Sequence, residues 1–217
     1  MNNLFVVSEI FIMYLLLYVI NILFGKKGIM LFIIISVMMF MLFSNSFVNF
    51  LGFPLNEGVI IYGTGLFALN LLNQKYGSNY LEKFIYVLII IVLMGYGVLD
   101  LVHGVGISSN LIDSTYFDKS FVVSFRDCVS VLLAFSVSAN LGNYLYYKVK
   151  MRKNKIWISN LITTVICGFV DTFIYSLLAY TGGMDIISLV KVIIINSIVK
   201  IIVGVLGTVY IYRECKI

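Results

Sequence analysis

The chain has 217 residues, of which 61% are hydrophobic and 12% charged, with a formal net charge of +5 and a mean hydropathy of +1.05. A soluble domain is roughly 45–50% apolar and about 25% charged, and in water a chain of this size needs a polar surface. Composition therefore excludes a soluble globular domain and makes lipid the solvent for most of the chain. The three cysteines (Cys128, Cys167, Cys215) are odd in number and far apart. They read as small packing residues, with neither a disulfide framework nor a metal site implied.

In chain order, seven stretches are long and apolar enough to read as membrane spans: Leu4–Phe24, Ile29–Phe53, Val59–Leu72, Leu81–Val102, Phe121–Tyr147, Trp157–Tyr180 and Ile186–Tyr212. They are continuous, and longer than the alternating runs of about ten residues that a barrel strand shows, so they read as helices. The first stretch lacks a basic leader, and its apolar run is too long for a cleaved signal sequence. It reads as a real helix, additional to a core at about 29–212. The expected fold is an all-α integral membrane protein, a single transmembrane domain of six to seven helices.

The loops carry charge unequally. Lys26, Lys27, Lys75, Lys83, Lys148, Lys150, Arg152, Lys153, Lys155, Arg213 and Lys216 fall on one side. Glu57, Asp113, Asp118 and Asp185 fall on the other, with Lys119 and Lys191 nearby. The positive-inside rule then puts the N-terminus outside and the C-terminus in the cytoplasm, with the helices in the cell membrane. This also explains the basic balance. The run KVKMRKNK, Lys148 to Lys155, reads as a cytoplasmic anchor and not as a nucleic-acid surface. Trp157, Tyr144, Tyr146, Tyr147, Tyr210 and Tyr212 read as an interfacial aromatic belt.

Arg126, Asp127, Asp171 and Lys200 lie within the spans. A charge at the bilayer centre costs about 2.5–3.5 kcal/mol on insertion scales, so such residues face a bundle interior or a watery cavity. Asp171 and Lys200 stand on adjacent helices and can pair. Arg126 can reach the same cavity or the loop, and Asp127, nearer the outer end, reads as a weaker candidate. His103 reads as interfacial. The amide pairs Asn45/Asn49, Asn70/Gln74 and Asn140/Asn143 each share a helix face at i+4 or i+3. Each pair alone reads as interhelical glue. Together with the buried charges they outline a central polar site, and amides, with both donors and acceptors, suit the edge of a heterocycle. Two readings stay open: an ion pair that fixes helix packing, and a polar cavity that binds a ligand.

These residues resemble a family, the bacterial queuosine-precursor transporters, also described as vitamin uptake transporters. The resemblance covers Asn45 to Tyr212. It rests on Ser44-Asn45, on LNLLNQKYG (Leu69 to Gly77), on Arg126 opening a long helix closed by SANLGN (Ser138 to Asn143), on ITTVICGFVDT (Ile162 to Thr172), and on the central Lys200. Asp171-Thr172 is its most specific part. The departures are systematic: amides stand at Asn70, Gln74, Asn140 and Asn143 where the family carries acids or a glutamine, and Gly168 replaces a glutamine. The resemblance implies a carrier that imports a 7-deazaguanine-type base or a related small heterocycle. It implies a substrate site drawn from Asn45, Asn70, Gln74, Arg126, Asn140, Asn143, Asp171, Thr172 and Lys200. No Walker motif is present, no cofactor is expected, and no Ser/His pair, His cluster or acidic metal cluster suggests an enzyme. The alternative is a substrate-capture subunit that docks on an energising module; a homodimer is a further partner reading.

Overall fold

The computed structural model describes residues 2–105, 123–153 and 156–214. The loop with Asp113, Asp118 and Lys119 lies outside them, as do Lys155, Cys215 and Lys216 and the side chains of His103, Lys153, Tyr212 and Arg213. Among the described residues are six helices and one hairpin: α1 Asn2–Leu42, β1 Phe47–Phe50, β2 Phe53–Asn56, α2 Val59–Tyr76, α3 Ser78–Val105, α4 Phe125–Lys153, α5 Ile156–Tyr180 and α6 Ile186–Glu214. Five of the helices, all but α2, are long and apolar enough to cross a membrane.

Helix α1 contains the first two predicted spans and doubles back between them. Gly25 stands at φ 54° and ψ −127°, a backbone that an L side chain rarely adopts. Just beyond it, Gly28 lies against Ile20 and Phe24, leaving no room for a Cβ. The two arms then run side by side, so that Phe5 and Glu9 share a groove with Phe43 and Glu57. The first arm is part of the bundle: Tyr14 donates to the Val203 carbonyl of α6 at 2.5 Å and packs edge-on against Phe67 of α2.

The second span does not continue to Phe53 as expected. Its helix stops at Leu42, and β1 pairs antiparallel with β2 through a two-residue turn, Leu51-Gly52. Both turn residues have positive φ, 53° and 86°, which matches the twist of a tight hairpin. Asn45 and Asn49 therefore share no helix face. Asn49 sits in β1, opposite Pro54.

Helix α2 lies at the centre, in contact with every other helix. It runs to Tyr76, past the expected Leu72, and thirteen of its 18 residues are buried. Its polar residues face protein, so it needs less apolar character than a lipid-facing helix. The outward pattern is the reverse of a soluble protein: Phe11, Leu15, Ile90, Met94, Phe169 and Ile194 are exposed. Close approaches hold the bundle: a Cβ on Gly65 would meet Ser36 at 2.7 Å, and one on Gly204 would clash with Thr164. Small residues serve helix packing this way where lipid removes the hydrophobic drive. Of the expected aromatic belt, Trp157, Tyr144 and Tyr147 are exposed, but Tyr146 is buried and Tyr210 packs against Tyr14 and Phe67.

Candidate functional site

Asp171, fully buried on α5, is the centre of the site. Lys200 of α6, 3% exposed, meets its Oδ2 at 2.5 Å. Tyr62 of α2 donates to Oδ1 at 2.6 Å, and Ser138 of α4 donates to the same oxygen at 3.0 Å. Four helices thus contribute one polar group each. Lys200 also stands 4.7 Å from the Tyr62 ring centroid and 5.5 Å from that of Phe40. A buried charge pair is retained only when its remaining hydrogen-bonding capacity is satisfied. The tyrosine and serine hydroxyls do that for the carboxylate here. Thr172, next in sequence, is buried and turns its hydroxyl onto the Gly168 carbonyl of its own helix at 2.8 Å.

Two neutral layers flank this centre. Towards the hairpin, the Asn56 side chain donates to the Ser44 carbonyl at 2.6 Å and to the Tyr180 hydroxyl at 3.2 Å, and its backbone N–H donates to Asn196 at 3.2 Å. Tyr180 also donates to the Ser44 carbonyl at 2.6 Å and lies 3.2 Å from the Tyr175 hydroxyl. At the opposite end, Asn70 donates to Asn160 at 2.9 Å, and Asn160 donates in turn to Thr208 at 2.9 Å. Asn73 donates to Asn143 at 2.8 Å, and Tyr146 donates to Gln74 at 3.0 Å. Between this second layer and the ion pair lies a small cavity of about 30 Å³. Lys200, Ser138, Asn70, Asn143, Thr163 and Gly168 are among the residues that line it.

The structure brings together only part of the set read from sequence. Asp171 and Lys200 pair, and Lys200, Asn70 and Asn143 line the cavity. Gln74 is one turn beyond it, bound to Tyr146. Asn140 is exposed and bonds the Ser136 carbonyl of its own helix, so it faces away from the cavity and from its i+3 neighbour. Arg126 does not reach the cavity either. It is exposed, and its guanidinium donates to the carbonyls of Leu178 and Thr181 at 2.6 and 2.5 Å. That is a cap on the carbonyls left free at the C-terminus of α5. Asp127 is buried outside the cavity's lining: it closes a capping box with Ser124 at the start of α4 and accepts from Asn45 at 3.0 Å. Asn45 is thus tied to a helix cap. Tyr62, Ser138 and Asn160 escaped the sequence reading. Buried tyrosine and serine look like any apolar or small residue in a span, and Asn160 belongs to none of the amide pairs at i+3 or i+4.

A bundle of apolar helices around a carboxylate, an ammonium and two amide layers defines a multi-pass protein of the cell membrane built around a polar interior. The model of the family described as "Putative vitamin uptake transporter" matches residues 56–213, more than half of the chain. The chain belongs to that family, which is one of transporters. It is also 26% identical over 200 residues to a Bacillus subtilis (strain 168) protein named "Probable queuosine precursor transporter", covering 89% of this chain and 86% of the relative. No solved structure matches.

Proposed function

We propose that this chain imports a queuosine precursor of the 7-deazaguanine type, or a close heterocyclic relative, and that the Asp171 centre recognises it. The observation that carries the reading is the Asp171–Lys200 pair, fully buried, hydrogen-bonded from four helices and adjoining a cavity inside a lipid-facing bundle. A charge pair costs free energy to bury, and a transporter that must bind a polar base inside a membrane supplies the reason to keep it. The relative's printed name and the family match support the substrate class.

In this reading the two arms of α1 cross the membrane separately and α2 crosses as a short, buried helix, for seven crossings in all. At about 1.5 Å per residue its 18 residues rise about 27 Å, close to the roughly 30 Å of hydrocarbon. The N-terminus lies outside and the basic loops lie in the cytoplasm. The chain does no covalent chemistry. Its substrate moves when the layers on either side of the Asp171 centre open in turn.

The test uses cells that lack both their own precursor synthesis and their own importer, supplied with a labelled 7-deazaguanine base. Queuosine should appear in their tRNA when this chain is expressed and not otherwise. An unchanged tRNA pool, with the protein present in the membrane, would rule the substrate class out.

A further inference from the structure

Glycine occurs in this bundle for two different reasons. At Gly65 and Gly204 a Cβ would collide with the neighbouring helix, so packing demands glycine. At Gly63, Gly142 and Gly168 it does not. A Cβ there would find its nearest neighbours at 3.5, 3.4 and 3.6 Å, ordinary van der Waals separations. Those three glycines come from three different helices, α2, α4 and α5, and all three line the one cavity beside Lys200. Helix packing explains none of them. What they share is a wall without side chains.

The same cavity holds an unsatisfied group. Thr163 of α5 is 2% exposed and lines it, yet its hydroxyl has no hydrogen-bond partner among the described residues. Buried hydroxyls are nearly always partnered. By contrast the Asp171 carboxylate is already engaged: Oδ1 accepts from two hydroxyls and Oδ2 holds Lys200. The Thr163 hydroxyl thus brings free hydrogen-bonding capacity to the edge of the glycine-walled slot.

We infer that the slot framed by Gly63, Gly142 and Gly168 receives the flat ring of the transported base, and that the Thr163 hydroxyl hydrogen-bonds its edge. The inference rests on the importer reading above and adds a contact and a shape to it. Lys200 borders the slot and links it to the ion pair, so a base seated there touches the group that neutralises Asp171. At about 30 Å³ the slot has room for one or two waters in this state, so a base enters it when the layers on either side part. Asn70 and Asn143 close it on the side away from Asp171.

The experiment measures the concentration dependence of uptake of the labelled 7-deazaguanine base in the cells described above. Thr163→Val keeps the side chain's shape and removes the hydroxyl. It should raise the half-saturating concentration about tenfold, as loss of one good hydrogen bond does, while the thermal midpoint of the purified protein in detergent stays level or rises. Gly142→Ala and Gly168→Ala, which the packing accommodates, should fold as well as the wild type and each weaken uptake at least as much. Val165→Ala, on the partly exposed face of the same helix, serves as the control. Half-saturation unchanged in Thr163→Val and in both alanine variants would overturn the slot while leaving the importer reading intact. Absence of uptake by the wild type would overturn both.

Discussion

At the scale of single residues, the Asp171–Lys200 pair dominates. Removing one partner strands the other charge in the interior, and breaking a buried pair in this way costs about 3–5 kcal/mol. Lys200→Met alone should therefore lower the thermal midpoint in detergent sharply. The double variant Asp171→Asn with Lys200→Met, which leaves no charge, should regain most of that loss. Stability that fails to recover in the double variant would show that the pair is not what the singles disrupt. Tyr62→Phe is a finer probe, because it deletes one of the two hydroxyls on Oδ1. A hydrogen bond to a charged group contributes about 1.5–3 kcal/mol, so its effect on unfolding should be intermediate. The pair itself was legible in the sequence, because two opposite charges in adjacent apolar spans have few other ways to exist. By the helical rise alone they sit at about 14 and about 21 Å from the expected outer ends of their helices. Their contact shows that those ends do not share a plane, and that the long lysine stem spans part of the difference. Tyr62 and Ser138 were not legible, since nothing in a local pattern says which hydroxyl faces a carboxylate on another helix. Arg126 shows the limit of reading charge as depth: it lies within an apolar run, but it caps a neighbouring helix at the surface.

At the scale of elements, the joints carry the predictions. Gly25 turns α1 back on itself at φ 54°. Gly25→Ala should cost on the order of 1–3 kcal/mol, the penalty of holding an L residue in a sparsely populated positive-φ backbone, read as a lower midpoint of thermal unfolding in detergent. The capping box at the head of α4 offers a milder case: Ser124→Ala should cost about 1 kcal/mol. Asp185, in the turn before α6, receives hydrogen bonds from the Ser188 hydroxyl and then from its backbone N–H, which hold its carboxyl below the ordinary range. A depressed folded-state pKa means that this cap is complete above the ordinary carboxyl range and is lost as pH falls through the lowered value. Amide exchange in the first turn of α6 should therefore quicken only in acid, and Asp185→Asn should remove that dependence. The hairpin Phe47–Asn56 was the principal misreading among elements. Its residues are as apolar as a span, and the signals against a helix were a glycine and the chain's lone proline, Gly52 and Pro54. Hydropathy measures solvent, and it does not separate a buried strand pair from the end of a membrane helix.

At the scale of the whole molecule, composition and the run of apolar segments were enough to predict a helical membrane protein, and the lipid-facing pattern of exposed side chains agrees. The proposed seven crossings, with the basic loops inside, make a further prediction. In a variant without Cys128, Cys167 and Cys215, a cysteine placed at Asn79, near the lysine-rich end, should react with a membrane-impermeant maleimide only after cells are opened, and one at Gly183 should react in intact cells. The reverse pattern would invert the proposed orientation. The layered interior is a property of the assembled bundle: Asn70 reaches Asn160 and Asn56 reaches Tyr180 across more than 80 residues of chain. No spacing rule within one helix encodes such pairs, so the i, i+4 amides marked the neighbourhood of the site without naming its partners.

The central claim is that Asp171 and Lys200 serve the cargo and not only the fold. Uptake of a labelled 7-deazaguanine base should be compared between the wild type and the charge-free double variant Asp171→Asn with Lys200→Met, each with its thermal midpoint in detergent and its level in the membrane. The account predicts a stable double variant that imports nothing above background. A double variant that is as stable as the wild type and imports as well would show the pair to be structural and contradict the claim.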